Sequence, residues 1–244
     1  METLSVPPPL REALQTAESK RRYVRRLFSV IADRYDLITV LLSYGQDRRW
    51  KRRLAAMVPD PPSARVLDLA CGTGDIAFEI AAAGAAVVGL DITPRMLELA
   101  REKSNDLAGK VKFVAGDMMA LPFPGEAFSV VTTGYGLRNV PELPGALAEI
   151  RRVLAPGGVL LSLDFDRPAS PLLRAVYLGY LTVVGSALGA VLHGEPDTYR
   201  YIPESIRRYP GAPGVSALAR AAGFRTCEHV PVLAGFMAIH SAVK

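Results

Sequence analysis

Residues 66–75 read Val66-Leu67-Asp68-Leu69-Ala70-Cys71-Gly72-Thr73-Gly74-Asp75, an apolar run that meets two glycines and then an acid. The run is short enough to be a strand (65–70), and the residues after it start a helix (75–83). Glycine accepts the torsions of a tight strand-to-helix turn and lets backbone approach a ligand closely. The first turn of the helix offers N–H groups with no partner of their own. The same alternation continues downstream, with strands at 86–92, 111–115, 128–133 and 159–165. A helix opens at Thr93-Pro94, an N-cap residue followed by proline in the first turn. Another runs over 143–154 and stops before Pro156-Gly157-Gly158. Repeated β-α-β order implies a doubly wound α/β domain with a mostly parallel sheet. After Pro168 the rhythm breaks. Residues 169–210 read as a helical lid inserted between strands. A helix at 213–222 and closing strands at 224–230 and 235–243 bring the sheet to seven. Upstream, 10–57 is helical, with Leu27, Val30, Ile31 and Leu37, Val40, Leu41 at helical spacing, and Pro59, Pro61 and Pro62 end it. This divides the chain into an N-terminal helical segment (1–60) and the main domain (61–244).

The 244 residues, 50% hydrophobic and 22% charged, suit one domain with a sizeable core. Pro7-Pro8-Pro9 is the only low-complexity run. Cys71 and Cys227 make no disulfide framework and lack partners at metal-ligand spacing, so a reducing compartment and no metal are expected. The N-terminus lacks the basic start and apolar run of a signal peptide, which favours the cytoplasm. Residues 1–60 hold 12 Lys and Arg against 7 Asp and Glu, whereas 61–244 hold 17 of each. The whole excess of +5 therefore sits in the first quarter. Such a surface suits an anionic membrane face, a nucleic acid, or simply solvent. Residues 175–192 carry no charge over 18 positions, the length at which a membrane span becomes a candidate. Three glycines and several hydroxyl residues dilute the segment, so it reads better as an apolar lid helix that touches lipid.

The glycine turn admits two cofactor classes. Gly72-Thr73-Gly74-Asp75-Ile76-Ala77 satisfies the dinucleotide pattern G-x-G-x-x-G/A, with Asp91 near the expected acid. Asp68 decides against it. A carboxylate at the strand end suits a cationic methionine moiety and disfavours a pyrophosphate, and Asp75 would repel one too. The pattern D-x-A-x-G-x-G resembles motif I of class I S-adenosylmethionine-dependent methyltransferases. Asp91 then stands where a carboxylate accepts both ribose hydroxyls. Asp117 stands where it receives the adenine amino group, with Met118 packed on the ring. Gly72, Thr73, Gly74, Ile92 and Gly134 complete the expected cofactor set.

Strand four ends in Thr133-Gly134-Tyr135-Gly136-Leu137-Arg138-Asn139-Val140, not the N/D-P-P-Y of base amino-methylating enzymes, so no nucleic-acid substrate is expected. From about Phe28 onward the chain resembles the ubiquinone/menaquinone biosynthesis C-methyltransferase family. The blocks that carry this are Tyr35-Asp36, Leu42-Ser43, Trp50-Lys51-Arg52, Leu121-Pro122-Phe123, Gly136 to Val140, Arg152-Val153-Leu154, Pro156-Gly157-Gly158, Tyr199-Arg200-Tyr201 and Glu204 to Arg207. The chain departs from the family at Thr39 (usually Asn), Asp47 (His), Ala155 (Lys), Asp164 (Glu), Asp166 (Ser) and Gly134 (a small hydroxyl residue).

The resemblance implies methyl transfer from S-adenosylmethionine to a ring carbon of a reduced, prenylated demethylquinol, the naphthoquinol first. Another phenolic or polyketide ring is the alternative acceptor, a NAD-dependent oxidoreductase the alternative chemistry, and a non-catalytic binder the third reading. Arg138, Asn139 and Tyr201 are the candidate catalytic residues, for phenolate stabilisation, ring-oxygen orientation and proton relay. Tyr199, Arg200 and His193 stand near them in sequence, His193 as a helix cap. Peripheral membrane contact is expected, and a homodimer stays open.

Overall fold

β1 (Arg65–Leu69) is buried along both faces, which explains why Val66, Leu67 and Leu69 run together without a polar alternation. It lies at the centre of the computed structural model of the protein, which describes residues 10–104 and 109–244. The Pro7-Pro8-Pro9 run lies outside the described residues. The other strands are β2 (Ala86–Asp91), β3 (Val111–Ala115), β4 (Phe128–Gly134), β5 (Leu154–Phe165), β6 (Thr226–Val232) and β7 (Met237–Val243). They form one sheet in the order β3-β2-β1-β4-β5-β7-β6. β1 to β5 are parallel, and β7 runs antiparallel to both its neighbours. The strand order reverses between β1 and β4, and a ligand crevice belongs at that switch point.

Ten helices are described: α1 (Leu10–Ala13), α2 (Ala17–Ile31), α3 (Tyr35–Leu42), α4 (Asp47–Ala55), α5 (Asp75–Ala82), α6 (Pro94–Lys103), α7 (Leu143–Val153), α8 (Pro171–His193), α9 (Tyr201–Arg208) and α10 (Gly211–Ala221). Alternate residues of β1 feed two cores. Leu67 and Leu69 meet Leu147, Ile150, Val215 and Ala219 of α7 and α10. Val66 points the other way, to Trp50, Leu54, Ile76 and Ile80 of α4 and α5. The N-terminal helix α4 thus shares the core of the sheet. Farther out, α2 and α3 pack on the lid, Val24 with Tyr201 and Ile38 with Tyr199.

Several boundaries move for local reasons. β1 stops at Leu69 because Ala70 turns into the left-handed region (φ 50°). Thr93 holds the N-cap position of α6, but its hydroxyl makes no capping bond. Asp91 Oδ1 accepts the Thr93 N–H instead, at 2.8 Å. β5 starts at Leu154, five residues early, since the Pro156-Gly157-Gly158 turn is carried inside the strand as an irregularity against β4. The lid lies between β5 and α10. Ser170 caps α8 by accepting the Leu173 N–H, Pro171 follows, and Gly194 (φ 68°) closes the helix.

Leu67 has no exposed surface. Leu67→Ala is expected to cost about 2–5 kcal/mol, read as a lower urea midpoint at unchanged slope.

Candidate active site

Where β1 and β4 part, two cavities meet. The first is a cleft of about 740 Å3 lined by Gly72, Asp91, Ile92, Asp117, Met118 and Gly134 among others, six of the expected cofactor residues. Asp68 lies beside it, in the small adjoining recess with Thr73 and Asp75. Its carboxyl is fully buried; Oδ1 accepts from Thr132 Oγ1 at 2.7 Å, and Oδ2 has no hydrogen-bond partner among the described residues. Burial pushes its pKa up to about 7, against the Thr132 bond and the Lys51 charge. A buried, half-satisfied carboxylate aimed at a recess calls for a cationic guest. Asp75 opens α5, held by Lys51 at 3.0 Å. Burial opposes its ionisation, but Lys51 and Lys103 outweigh this and keep its carboxyl below the usual range.

Asp91 is buried, with Oδ2 accepting from Gly72 N at 2.9 Å and Oδ1 from Thr93 N. The carboxylate thereby ties the glycine turn to the end of β2 and keeps spare lone pairs for a diol. Asp117 accepts from Met119 N at 2.9 Å through Oδ1, and Arg21 of α2 sits 2.5 Å from Oδ2. Gly74 lines neither the cleft nor the adjoining recess. Its role is conformational (φ 89°), since a Cβ there would lie 2.7 Å from the Phe78 ring. Gly134 offers only backbone to the cleft, where a Cβ would come 2.6 Å from Ile76 Cδ1.

The second cavity, about 890 Å3, is mainly aromatic and aliphatic. Arg138 and Tyr201 line it, and Asn139 lines the cofactor side. The three form one cluster: Arg138 Nη1 donates to Asn139 Oδ1 at 3.2 Å, and Tyr201 Oη donates to the same oxygen at 3.0 Å. Arg138 is buried over the Phe165 ring, with Nε 3.3 Å from Asp164 Oδ1 and Nη1 on Ser205 Oγ. It is thus both a structural ion pair and a cavity wall. Burial holds the Tyr201 hydroxyl protonated well beyond its ordinary range, so it is a donor and not a base. Tyr199 lines the cavity and meets His193 Nε2 at 2.8 Å, while Arg200 pairs with Asp197 at the surface, away from both cavities.

Three residues that sequence reasoning gave no role, Phe28, Tyr35 and Tyr135, line both cavities. Tyr135 is held at φ 60°, a strained angle for an aromatic residue, and its hydroxyl donates to Asp47 Oδ1 at 2.7 Å. Asp47 in turn lies 2.6 Å from the buried Lys51. Lys20 was also missed. It donates to the carbonyls of Arg138 (3.1 Å) and Val140 (2.6 Å), fastening α2 onto the turn that carries Arg138 and Asn139. A basic helix face gave no hint of which of its cations points inward.

This sheet order, with its acids at successive strand ends, is the architecture of class I S-adenosylmethionine-dependent methyltransferases. One such enzyme from Thermotoga maritima matches it with a TM-score of 0.67 at 18% identity, over 91% of this chain and 99% of that one. The chain belongs to the ubiE/COQ5 methyltransferase family, which matches residues 15–244. It is 43% identical to a demethylmenaquinone methyltransferase of Thermus thermophilus, over 88% of this chain and 98% of that protein. It is 41% identical to a ubiquinone/menaquinone biosynthesis C-methyltransferase of Methylobacterium nodulans, over 93% and 92%. The cofactor is S-adenosylmethionine, and the dinucleotide alternative falls away.

Asp68 must be ionised to meet a cationic amine. Its raised pKa therefore predicts that S-adenosylhomocysteine binds progressively more weakly as pH falls through about 7, by up to about tenfold per unit. In Asp68→Asn, calorimetry should show affinity down about 10- to 100-fold and this pH dependence flattened.

Proposed function

We propose that this protein methylates a ring carbon of a reduced, prenylated demethylquinol, demethylmenaquinol first, at the cytoplasmic face of a membrane. The observation that carries the reading is the shared wall. Phe28, Tyr35 and Tyr135 separate an acid-lined cleft from an apolar cavity with one buried cation, Arg138. Names borne by the relatives, demethylmenaquinone methyltransferase among them, support the same acceptor.

S-adenosylmethionine supplies an activated methyl group when bound. Asp68 and Asp91 would hold its amine and ribose, Asp117 its adenine, and the backbone at Gly72 and Gly134 would lie along it. The residues of the chain have three further tasks. The aromatic wall of the second cavity excludes water and fixes the plane of a ring. Arg138, with no hydrogen bond from Nη2 among the described residues, favours the phenolate of an acceptor hydroxyl and so raises charge on the neighbouring carbon. Asn139 and Tyr201 hold Arg138 in place and present an amide and a phenol to the ring oxygens. No strong base is needed if the cation lowers the pKa of the hydroxyl far enough for water to take its proton.

The test is methyl transfer to a reduced demethylnaphthoquinol with a short prenyl tail, followed by mass spectrometry. Turnover with the quinol and none with the oxidised quinone supports the reading; transfer only to unprenylated phenols overturns it. Arg138→Ala should lower kcat about 10²- to 10³-fold with S-adenosylhomocysteine binding retained. The rise of rate with pH should move to higher pH, because the acceptor hydroxyl loses the cation that eases its ionisation.

A further inference from the structure

Surface helices of water-soluble proteins turn their polar side outward. α8 does the reverse. Its buried positions are Leu181, Gly185 and Gly189, and the glycines let it lie tight on residues 195–199. A Cβ at Gly189 would be 2.6 Å from Glu195 O, and one at Gly185 3.2 Å from Tyr199 Cβ. The outward stripe is apolar: Leu172, Val176, Val183 and Val191 are 62–81% exposed, and the helix contains no acidic residue. α3 repeats the arrangement. Ile38, Thr39 and Leu42 line the acceptor cavity, while Leu37, Val40 and Leu41 face out. The two helices join where the Tyr44 and Tyr180 rings stack, 5.8 Å apart. Tyr44 lines the cavity and is nevertheless 71% exposed, which marks the mouth.

We infer that α3 and α8 lie in the headgroup–acyl boundary of an anionic bilayer, and that the acceptor cavity opens sideways into it between Tyr44 and Tyr180. The inference deepens the proposed function: the ring enters the cavity while the prenyl tail stays in lipid. Two features choose a bilayer over other occupants. Contiguous exposed apolar faces mark an interaction surface, and here they continue into the walls of the cavity. Four and five positions beyond Tyr44 in the chain, Arg48 and Arg49 are exposed and form no ion pair among the described residues, as is true of Arg53. Tyrosines at the rim suit the membrane–water boundary. α8 is long and apolar enough to cross a bilayer. Crossing would, however, pull Leu181 and Tyr177 out of the cavity wall, so the helix lies flat, as interfacial helices do.

The full-length protein is floated with vesicles of phosphatidylcholine, with and without about one-third phosphatidylglycerol, at low salt. It is also assayed with a short-tail quinol in solution and a long-tail quinol embedded in the anionic vesicles. The comparison variant is Leu172→Glu/Val176→Glu/Val183→Glu, none of which lines either cavity. The expected result is flotation with the anionic vesicles, weakened about tenfold in the variant. Activity on the embedded quinol should fall by a similar factor, and activity on the soluble one should change less than about twofold. The inference is overturned if the unmodified protein does not float, or if the variant uses the embedded quinol equally well. It is also overturned if light scattering shows a dimer that the variant dissociates, with no vesicle binding. Flotation without methyl transfer to either quinol would instead sink the acceptor assignment and leave the docking face standing.

Discussion

A carboxylate with no exposed surface and one unbonded oxygen is an expensive thing to fold around. Asp68 occupies that position at the centre of the sheet, and the surrounding structure limits what it costs and directs what it can bind. Thr132 satisfies one oxygen from the neighbouring strand. Lys51, brought in on α4, adds positive charge without closing the recess, because Asp47 and Asp75 already claim its ammonium. Ala70 and Tyr135, both left-handed, bend the chain away at the ends of β1 and β4 so that the recess stays open. The strain sits where the strand order reverses, which is also where the sheet has room for a ligand.

The fold was legible because its evidence is local. Apolar runs, glycine turns and the Thr93-Pro94 and Pro156-Gly157-Gly158 punctuation can be read within a few residues. The placing of Asp68, Asp91 and Asp117 at the strand ends beside the cleft was legible for the same reason, since each lies at or just after the end of its strand. The Arg138–Asn139–Tyr201 cluster was half legible. Residues sixty apart converge on one amide oxygen, and only the family resemblance put them on one page. The partition between the cavities was not legible. Phe28 and Tyr35 look like core positions of amphipathic helices, and nothing within the sequence says that their rings also face a cleft. The role of Asp47 was hidden too: it appeared only as a departure from the family pattern. In the structure it orients the hydroxyl of Tyr135, a residue eighty-eight positions away.

The two cavities divide the chemistry by solvent character. One is rich in acids and backbone amides and suits a polar, cationic guest. The other is aromatic, with its single guanidinium paired to Asp164 and lying over the Phe165 ring. Because the walls are shared, a substitution on either side of Tyr135 is felt on the other, and effects of paired mutations there are not expected to add.

The ion pair between Arg21 and Asp117 bears on timing. Any base that reaches for the Asp117 carboxylate must first evict a guanidinium that belongs to α2. The same helix presses Lys20 onto the turn that carries Arg138 and Phe28 into the partition. Displacing Arg21 would therefore not stay a private event of one cleft; it would loosen a wall of the neighbouring room. Arg21 is about half exposed while Asp117 is largely buried, so the bond joins a solvent-facing cation to a carboxylate inside the cleft.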